Sequence, residues 1–316
     1  MQSSHLWPIV LLALALGIAA PYFALRRETR ALNAVAREAL GGTYVTLSDG
    51  VTHYEITGPV DAPVVVLIHG GTIAHYAWDA QVLPLREAGF RVLRYTHFGR
   101  GYSDRPLVDY DRALYQRQLE ELLQAMSIEG PVTLIGVSFG GAIAATFAQA
   151  HPDRVAGLVL IAPVVDYAEG RALFGLAKIP VLSEWYSRVF AVRATVARAA
   201  GFFEESGADP SYAQRFDEQT RFDGYERALL SFSRTDALAS YRDIYGGLSE
   251  QPKLLIWGTA DPEIPKAHID FLRSELRNLT YAEIDGAGHG VTVERQEEVN
   301  HQILSFMGTR YPSKTQ

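Results

Sequence analysis

The chain predicts an α/β architecture: a mostly parallel sheet with helices on both faces. Three observations carry this. Short, largely apolar runs recur at 63–68, 92–95, 132–135, 158–161, 252–257 and 279–284, the first of them continuously apolar. Helical patterns separate several of them, as at 115–126 and in the Ala-rich run after 140. Alternation of such runs with helical patterns implies a mostly parallel sheet covered by helices on both faces.

Taken in order, the first 25 residues contain no Lys, Arg, Asp or Glu, and 6–25 offers 20 largely apolar positions ahead of Arg26, Arg27, Arg30 and Arg37. That length just spans a bilayer, and Pro8 and Pro21 fall near its ends, where a spanning helix tolerates them. A cleaved signal peptide is the rival, but the positive charge follows the apolar run instead of preceding it, and Ala20-Pro21 is a poor cleavage junction. A buried soluble helix would show a polar face, which is lacking here. Segment 1–27 is therefore expected to be a membrane anchor (or signal), with its flanking arginines placing the rest of the chain on the cytoplasmic side.

The strand-helix alternation begins near residue 40 and breaks after Ile161, since about 90 residues separate it from Leu254. One crossover needs far fewer, so the excess is expected to form a helical cap above the strand ends. The expected organisation is a first core part at 40–165, a cap at 166–222 and a second core part at 223–312. The cap carries Leu173, Phe174, Leu176, Ile179, Val181, Leu182, Trp185, Tyr186, Val189, Phe190, Phe202 and Phe203. Packing against the core is expected to use most of them, and some excess to line a substrate pocket. Arg188, Arg193 and Arg198 recur every five residues, which is no helical stripe, and read as solvated charges.

The sequence composition excludes several classes. A net charge of −7 and a pI near 5.7 argue against nucleic-acid binding. The absence of cysteine removes disulfides and thiolate metal sites. Nine histidines occur without an H-E-x-x-H spacing. Gly99-Arg100-Gly101 lacks the third glycine of a dinucleotide fingerprint, and no P-loop is present. No cofactor or metal is expected.

What remains is a serine at the centre of Gly136-Val137-Ser138-Phe139-Gly140, after an apolar run and before a helix former. A strand turning sharply into a helix strains the turning residue, and glycines two positions either side remove colliding side chains. The hydroxyl then stands at the sheet's edge in front of a helix N-terminus, which suits a developing oxyanion. A serine needs a base, and the base an orienting acid. Asp261, in the loop after the run 252–257, and His289, in Asp285-Gly286-Ala287-Gly288-His289-Gly290 after 279–284, fall at the same sheet edge in the order Ser, acid, His. Asp261 also fits an Asp-Pro turn former and His289 an ordinary surface histidine. Of the other histidines after Asp261, His268 lies in a helical pattern and His301 on a helical face. The loop His69-Gly70-Gly71-Thr72 after 63–68 supplies backbone N–H groups. The expected oxyanion donors are the N–H groups of Gly71 and Phe139, with Thr72 the alternative to Gly71, while His69 reads as a structural partner of that loop.

These segments, with Gly99-Arg100-Gly101-Tyr102-Ser103 and Gly258-Thr259-Ala260-Asp261, resemble the α/β-hydrolase fold superfamily from about Tyr44 to Met307. Thr96 departs from the Asp usual three residues before Gly99. The resemblance implies a serine esterase, a monoacylglycerol lipase or a meta-cleavage-product hydrolase, since Ser138 rather than Asp weighs against dehalogenases and epoxide hydrolases. The expected activity is hydrolysis of a carboxylic ester. An anchor beside an apolar cap favours a lipophilic or acylglycerol-type ester as the small-molecule partner. Carbon–carbon bond hydrolysis by the same three residues is the enzymatic alternative. A non-catalytic receptor is the alternative of another class, disfavoured because it has no need of all three.

Overall fold

The computed structural model describes residues 6–166, 179–309 and 311. Eight strands form one sheet: β1 Thr43–Leu47, β2 Gly50–Thr57, β3 Val64–Ile68, β4 Arg91–Tyr95, β5 Val132–Val137, β6 Val155–Ile161, β7 Lys253–Gly258 and β8 Leu279–Ile284. Their order is β1-β2-β4-β3-β5-β6-β7-β8. The first three are antiparallel neighbours and every pairing from β4 to β8 is parallel. The fold is thus the α/β-hydrolase fold that the alternation and motifs predict, with an antiparallel hairpin at one edge that the apolar-run criterion does not find. That edge strand has mixed polarity, because one side of the hairpin faces water.

The strict two-residue period of a strand divides the core. Val66, Ile68, Leu134, Leu158, Leu160 and Leu255 face one layer, together with α4 Arg112–Ala125 and α5 Phe139–Ala150. Val65, Leu67, Ile135, Val159, Ile161 and Ile256 face the other, with Leu85 of α3 Asp79–Glu87 and the C-terminal helix Gln296–Gly308. Asp111 caps α4 by accepting the Leu114 N–H at 2.8 Å.

Before the sheet lie α1 Leu6–Ala24 and α2 Ala34–Leu40. Between β6 and β7, α6 Leu182–Tyr186 runs through a π-helical turn, Ser187–Ala191, into α7 Val192–Glu205, followed by α8 Ser211–Gln219 and α9 Tyr225–Arg234. Phe203, Tyr212 and Phe216 of α7 and α8 form a satellite core with Ala74 and Tyr76 from the loop after β3, which seats these helices over the strand ends. Leu173, Phe174 and Leu176 lie outside the described residues.

Two expectations about this region change. Arg188 and Arg193 are not solvated charges: Arg188 bonds the buried carboxylate of Glu226 at 2.8 Å and Arg193 donates to the Leu25 carbonyl at 3.0 Å. Only Arg198 stays largely in water, 3.4 Å from Glu263. Ile179, Val181, Leu182 and Phe190 are exposed rather than packed on the core.

Candidate active site

Ser138 sits between β5 and α5 with φ 53° and ψ −121°, a backbone conformation that side chains other than glycine's rarely adopt. The glycines around it are sterically compelled. A Cβ on Gly136 would fall 2.3 Å from the Gly140 oxygen, and one on Gly140 would fall 2.1 Å from the Ile68 oxygen. The turn is pinned by the Ser138 N–H donating to Ile161 at 2.9 Å and by the Ser138 carbonyl accepting from Gly141 and Val164.

The three side chains expected to act together meet. His289 Nε2 is 3.1 Å from Ser138 Oγ, and His289 Nδ1 is 2.9 Å from Asp261 Oδ2. The other oxygen of Asp261 accepts the backbone N–H groups of Glu263 at 2.7 Å and Ile264 at 2.9 Å, so the carboxylate cannot rotate freely. Its side chain is fully buried. Burial works against a charged His289, but the hydrogen bond and charge of Asp261, helped by Glu263, outweigh it, and its pKa is raised above the ordinary imidazole value. Glu263 was not singled out by sequence, yet its Oε2 lies 3.7 Å from His289 Nε2. Only its place two residues after Asp261 hinted at this.

The N–H groups of Phe139 and Gly71 donate to no protein acceptor among the described residues. The peptide planes that aim the glycine loop are held from behind. His97 N–H donates to His69 Nε2 at 3.0 Å, which requires the proton of the neutral ring to be on Nδ1, and Nδ1–H donates to the Gly70 carbonyl at 2.7 Å. Burial drives the His69 pKa well below the ordinary imidazole value, consistent with the neutral ring. Arg100, itself buried, donates through Nε to the Gly71 carbonyl at 2.6 Å. Because a trans peptide places N–H opposite C=O, the His69 bond orients the Gly71 N–H and the Arg100 bond orients the Thr72 N–H. Thr96, at the departure from the superfamily pattern, pairs its hydroxyl with His75 Nδ1 at 2.6 Å. Phe232 packs at 4.8 Å on Phe139, between Gly71 and the α5 N-terminus.

α7 covers the other side. Phe202 occupies the space where a Cβ on Gly290 would project, beside His289, and Arg198 pairs with Glu263. A separate cavity of about 260 Å³ opens among His53, Glu55, His75, Tyr76, Tyr102 and Arg215, and none of the Ser138 group lines it.

This sheet with a serine elbow, a histidine and a buried aspartate at its edge defines a hydrolase-like class. The profile described as alpha/beta hydrolase fold matches residues 63–296, and the chain belongs to that family. It is 28% identical to a non-heme chloroperoxidase of Streptomyces lividans over 83% of this chain and 98% of that one. It is 27% identical to a bifunctional esterase/perhydrolase of Acinetobacter calcoaceticus, covering 84% and 99%. A 2-hydroxy-6-oxononadienedioate/2-hydroxy-6-oxononatrienedioate hydrolase of Paraburkholderia xenovorans is 29% identical, covering 85% and 96%. The solved enol-lactonase of Burkholderia xenovorans superposes with a TM-score of 0.71 at 22% identity, over 84% of this chain and 99% of that one, a likeness of fold.

Proposed function

We propose that the protein hydrolyses carboxylic esters through Ser138, His289 and Asp261. The observation that carries this reading is the unbroken chain Ser138 Oγ, His289 Nε2, His289 Nδ1, Asp261 Oδ2 at 3.1 and 2.9 Å. Ser138 Oγ attacks the carbonyl carbon while His289 Nε2 takes its proton, and the N–H groups of Phe139 and Gly71 receive the oxyanion. Collapse expels the alcohol, which takes its proton from His289. Water, deprotonated by the same nitrogen, then releases the acid from the acyl-serine. Asp261 holds the His289 tautomer throughout.

The same three residues serve carbon–carbon bond hydrolysis in principle, and the Paraburkholderia relative favours that reading. Its substrate, however, is a dicarboxylate by name, whereas Glu263 places a carboxylate 3.7 Å from His289 Nε2 and disfavours an anion there. A neutral ester meets no such repulsion.

The lipophilic preference rests on α1. No part of Trp7–Ala24 is buried, and the helix is long and apolar enough to cross a membrane. In this reading α1 anchors the chain, the helices α6 to α8 roof the site, and the remainder lies on the side of the α1 C-terminus. A fluorophosphonate probe should label the wild-type protein on Ser138 and not the Ser138→Ala variant. A panel of monoacylglycerols, p-nitrophenyl esters and a dienone acid should give turnover with the esters. Turnover confined to the dienone acid favours the carbon–carbon reading, and absence of labelling removes the enzyme reading.

A further inference from the structure

α1 and the α6 region meet in an ordered ladder. Trp185 Nε1 donates to the Ile18 carbonyl at 2.8 Å, the Arg188 guanidinium lies 4.2 Å over the Tyr22 ring, and Arg193 donates to the Leu25 carbonyl at 3.0 Å. Each step along one chain advances the other toward the α1 C-terminus. Ile18 lies six residues before Ala24, which at 1.5 Å per residue is about 9 Å. If the end of α1 marks the edge of the hydrocarbon, Trp185 lies about 9 Å inside it, while Arg188 and Arg193 stand at headgroup level.

The chemistry of each rung suits that depth. Around Trp185, Val181 is 79% exposed, Phe190 51% and Leu182 47%, so about half or more of each stands uncovered. The indole N–H is bonded to a helix carbonyl, as burial away from water requires. Glu184, between Leu182 and Trp185, is paired with Arg234 at 2.7 Å, and beyond the ladder Arg26, Arg27 and Arg30 pair with Asp223, Asp217 and Glu218 of the chain that follows α7.

We infer that the face of Val181, Leu182, Trp185 and Phe190 is immersed in the lipid bilayer beside α1, so that the cap is a membrane-inserted element. α6 continues into α7, whose Phe202 lies against Gly290 next to His289. α7 thus ties the immersed face to the wall of the Ser138 site, and a lipid-borne neutral ester is the substrate class such a face would present. The inference rests on the anchor reading of α1 and deepens the substrate class of the same site.

The chain has no cysteine, so Val181→Cys or Phe190→Cys gives a unique label position, with Val60→Cys on the exposed core surface as control. Full-length protein carrying a nitrobenzoxadiazole label in phosphatidylcholine–phosphatidylglycerol vesicles is titrated with lipid bearing a mid-chain nitroxide. Quenching at 181 and 190 should exceed that at 60 by about threefold or more, as for a face sunk several ångströms below the headgroups. Carbonate extraction of the same vesicles reports on α1 separately. Equal quenching at all three positions with carbonate-resistant protein overturns the immersed cap and leaves the anchor standing. Strong quenching at 181 and 190 with carbonate-released protein supports the immersed face and removes the anchor. In a second arm, Phe190→Glu should lower kcat/KM on a vesicle-borne monoacylglycerol by about tenfold while turnover of soluble p-nitrophenyl acetate is unchanged. A parallel loss on both substrates counts against the inference.

Discussion

Glu263 Oε2 stands 3.7 Å from His289 Nε2, the same nitrogen that lies 3.1 Å from Ser138 Oγ. A second carboxylate therefore bears on the proton-accepting side of the imidazole, opposite Asp261. Arg198 of α7 holds it from above at 3.4 Å. The charged groups facing His289 are thus Asp261 and Glu263 from the loop after β7, Arg198 from α7, and Glu294 behind its own loop, where it accepts the Gly288 N–H at 2.7 Å.

The pH dependence follows from these signs. His289 works as a base only when neutral, and its pKa is raised, burial notwithstanding, by Asp261 and then Glu263, and lowered by Arg198. The acid limb of kcat/KM should lie above the ordinary imidazole value. Glu263→Gln removes a negative charge and should move that limb to lower pH, whereas Arg198→Ala removes a positive one and should move it to higher pH. Opposite shifts in pH profiles of the two variants are the signature. Shifts in the same direction, or none, would mean that the Glu263 charge does not reach the imidazole.

Ser138 offers a contrast between two substitutions. Its Oγ has His289 as its hydrogen-bond partner, so Ser138→Ala should cost kcat on the order of a millionfold with little change in Tm. Its φ of 53° also stores strain of roughly 1–3 kcal/mol, which glycine relieves. Ser138→Gly should be as inactive as the alanine variant yet melt higher than it, by thermal denaturation followed by circular dichroism. A Tm below that of Ser138→Ala would mean the elbow backbone is unstrained.

Why the elbow was legible while Glu263 was not has a physical answer. Gly136 is dictated by the backbone of Gly140, four residues away, a constraint written locally, and Gly140 by Ile68 of the adjoining strand, yet both fall in one pentapeptide around Ser138. The order Ser, Asp, His is likewise a consequence of strand ends meeting at one sheet edge. Glu263 reaches His289 only because two loops converge in space, and Arg188 finds Glu226, 38 residues away, only once the helices pack. The β1–β2 hairpin went unread because one of its faces is wet, which breaks the apolar run. His69 was legible as a loop partner, but its tautomer depends on the His97 N–H, a contact between residues 28 apart.

Asp261→Asn tests the orienting role sharply. Oδ1 is already committed to the N–H groups of Glu263 and Ile264, so an asparagine keeping those bonds turns its NH₂ toward His289 Nδ1. A donor there forces the imidazole proton onto Nε2, the nitrogen that must be free to take the Ser138 proton. The expected loss is about ten-thousandfold in kcat, with a much smaller change in KM. Steady-state kinetics decide it: activity within tenfold of wild type would transfer the acid's role to another carboxylate.

The glycine loop permits a test of which N–H serves the oxyanion. The peptide plane carrying the Gly71 N–H is held at the Gly70 carbonyl by His69, and the plane carrying the Thr72 N–H is held at the Gly71 carbonyl by Arg100. Removing one donor of an oxyanion hole costs about 10²–10³ in kcat, and loosening its support should cost part of that. If Gly71 is the donor, His69→Gln should lower kcat by about tenfold or more with KM little changed, because a free Gly70 carbonyl lets the next N–H swing. Arg100→Lys, which keeps the charge but loses the planar fork aimed at Gly71, should then fall less in kcat than His69→Gln. Both sites are buried, so each variant must first show a cooperative melt and wild-type far-ultraviolet dichroism. With folding secured, a larger kcat loss in Arg100→Lys than in His69→Gln would reassign the second donor from Gly71 to Thr72.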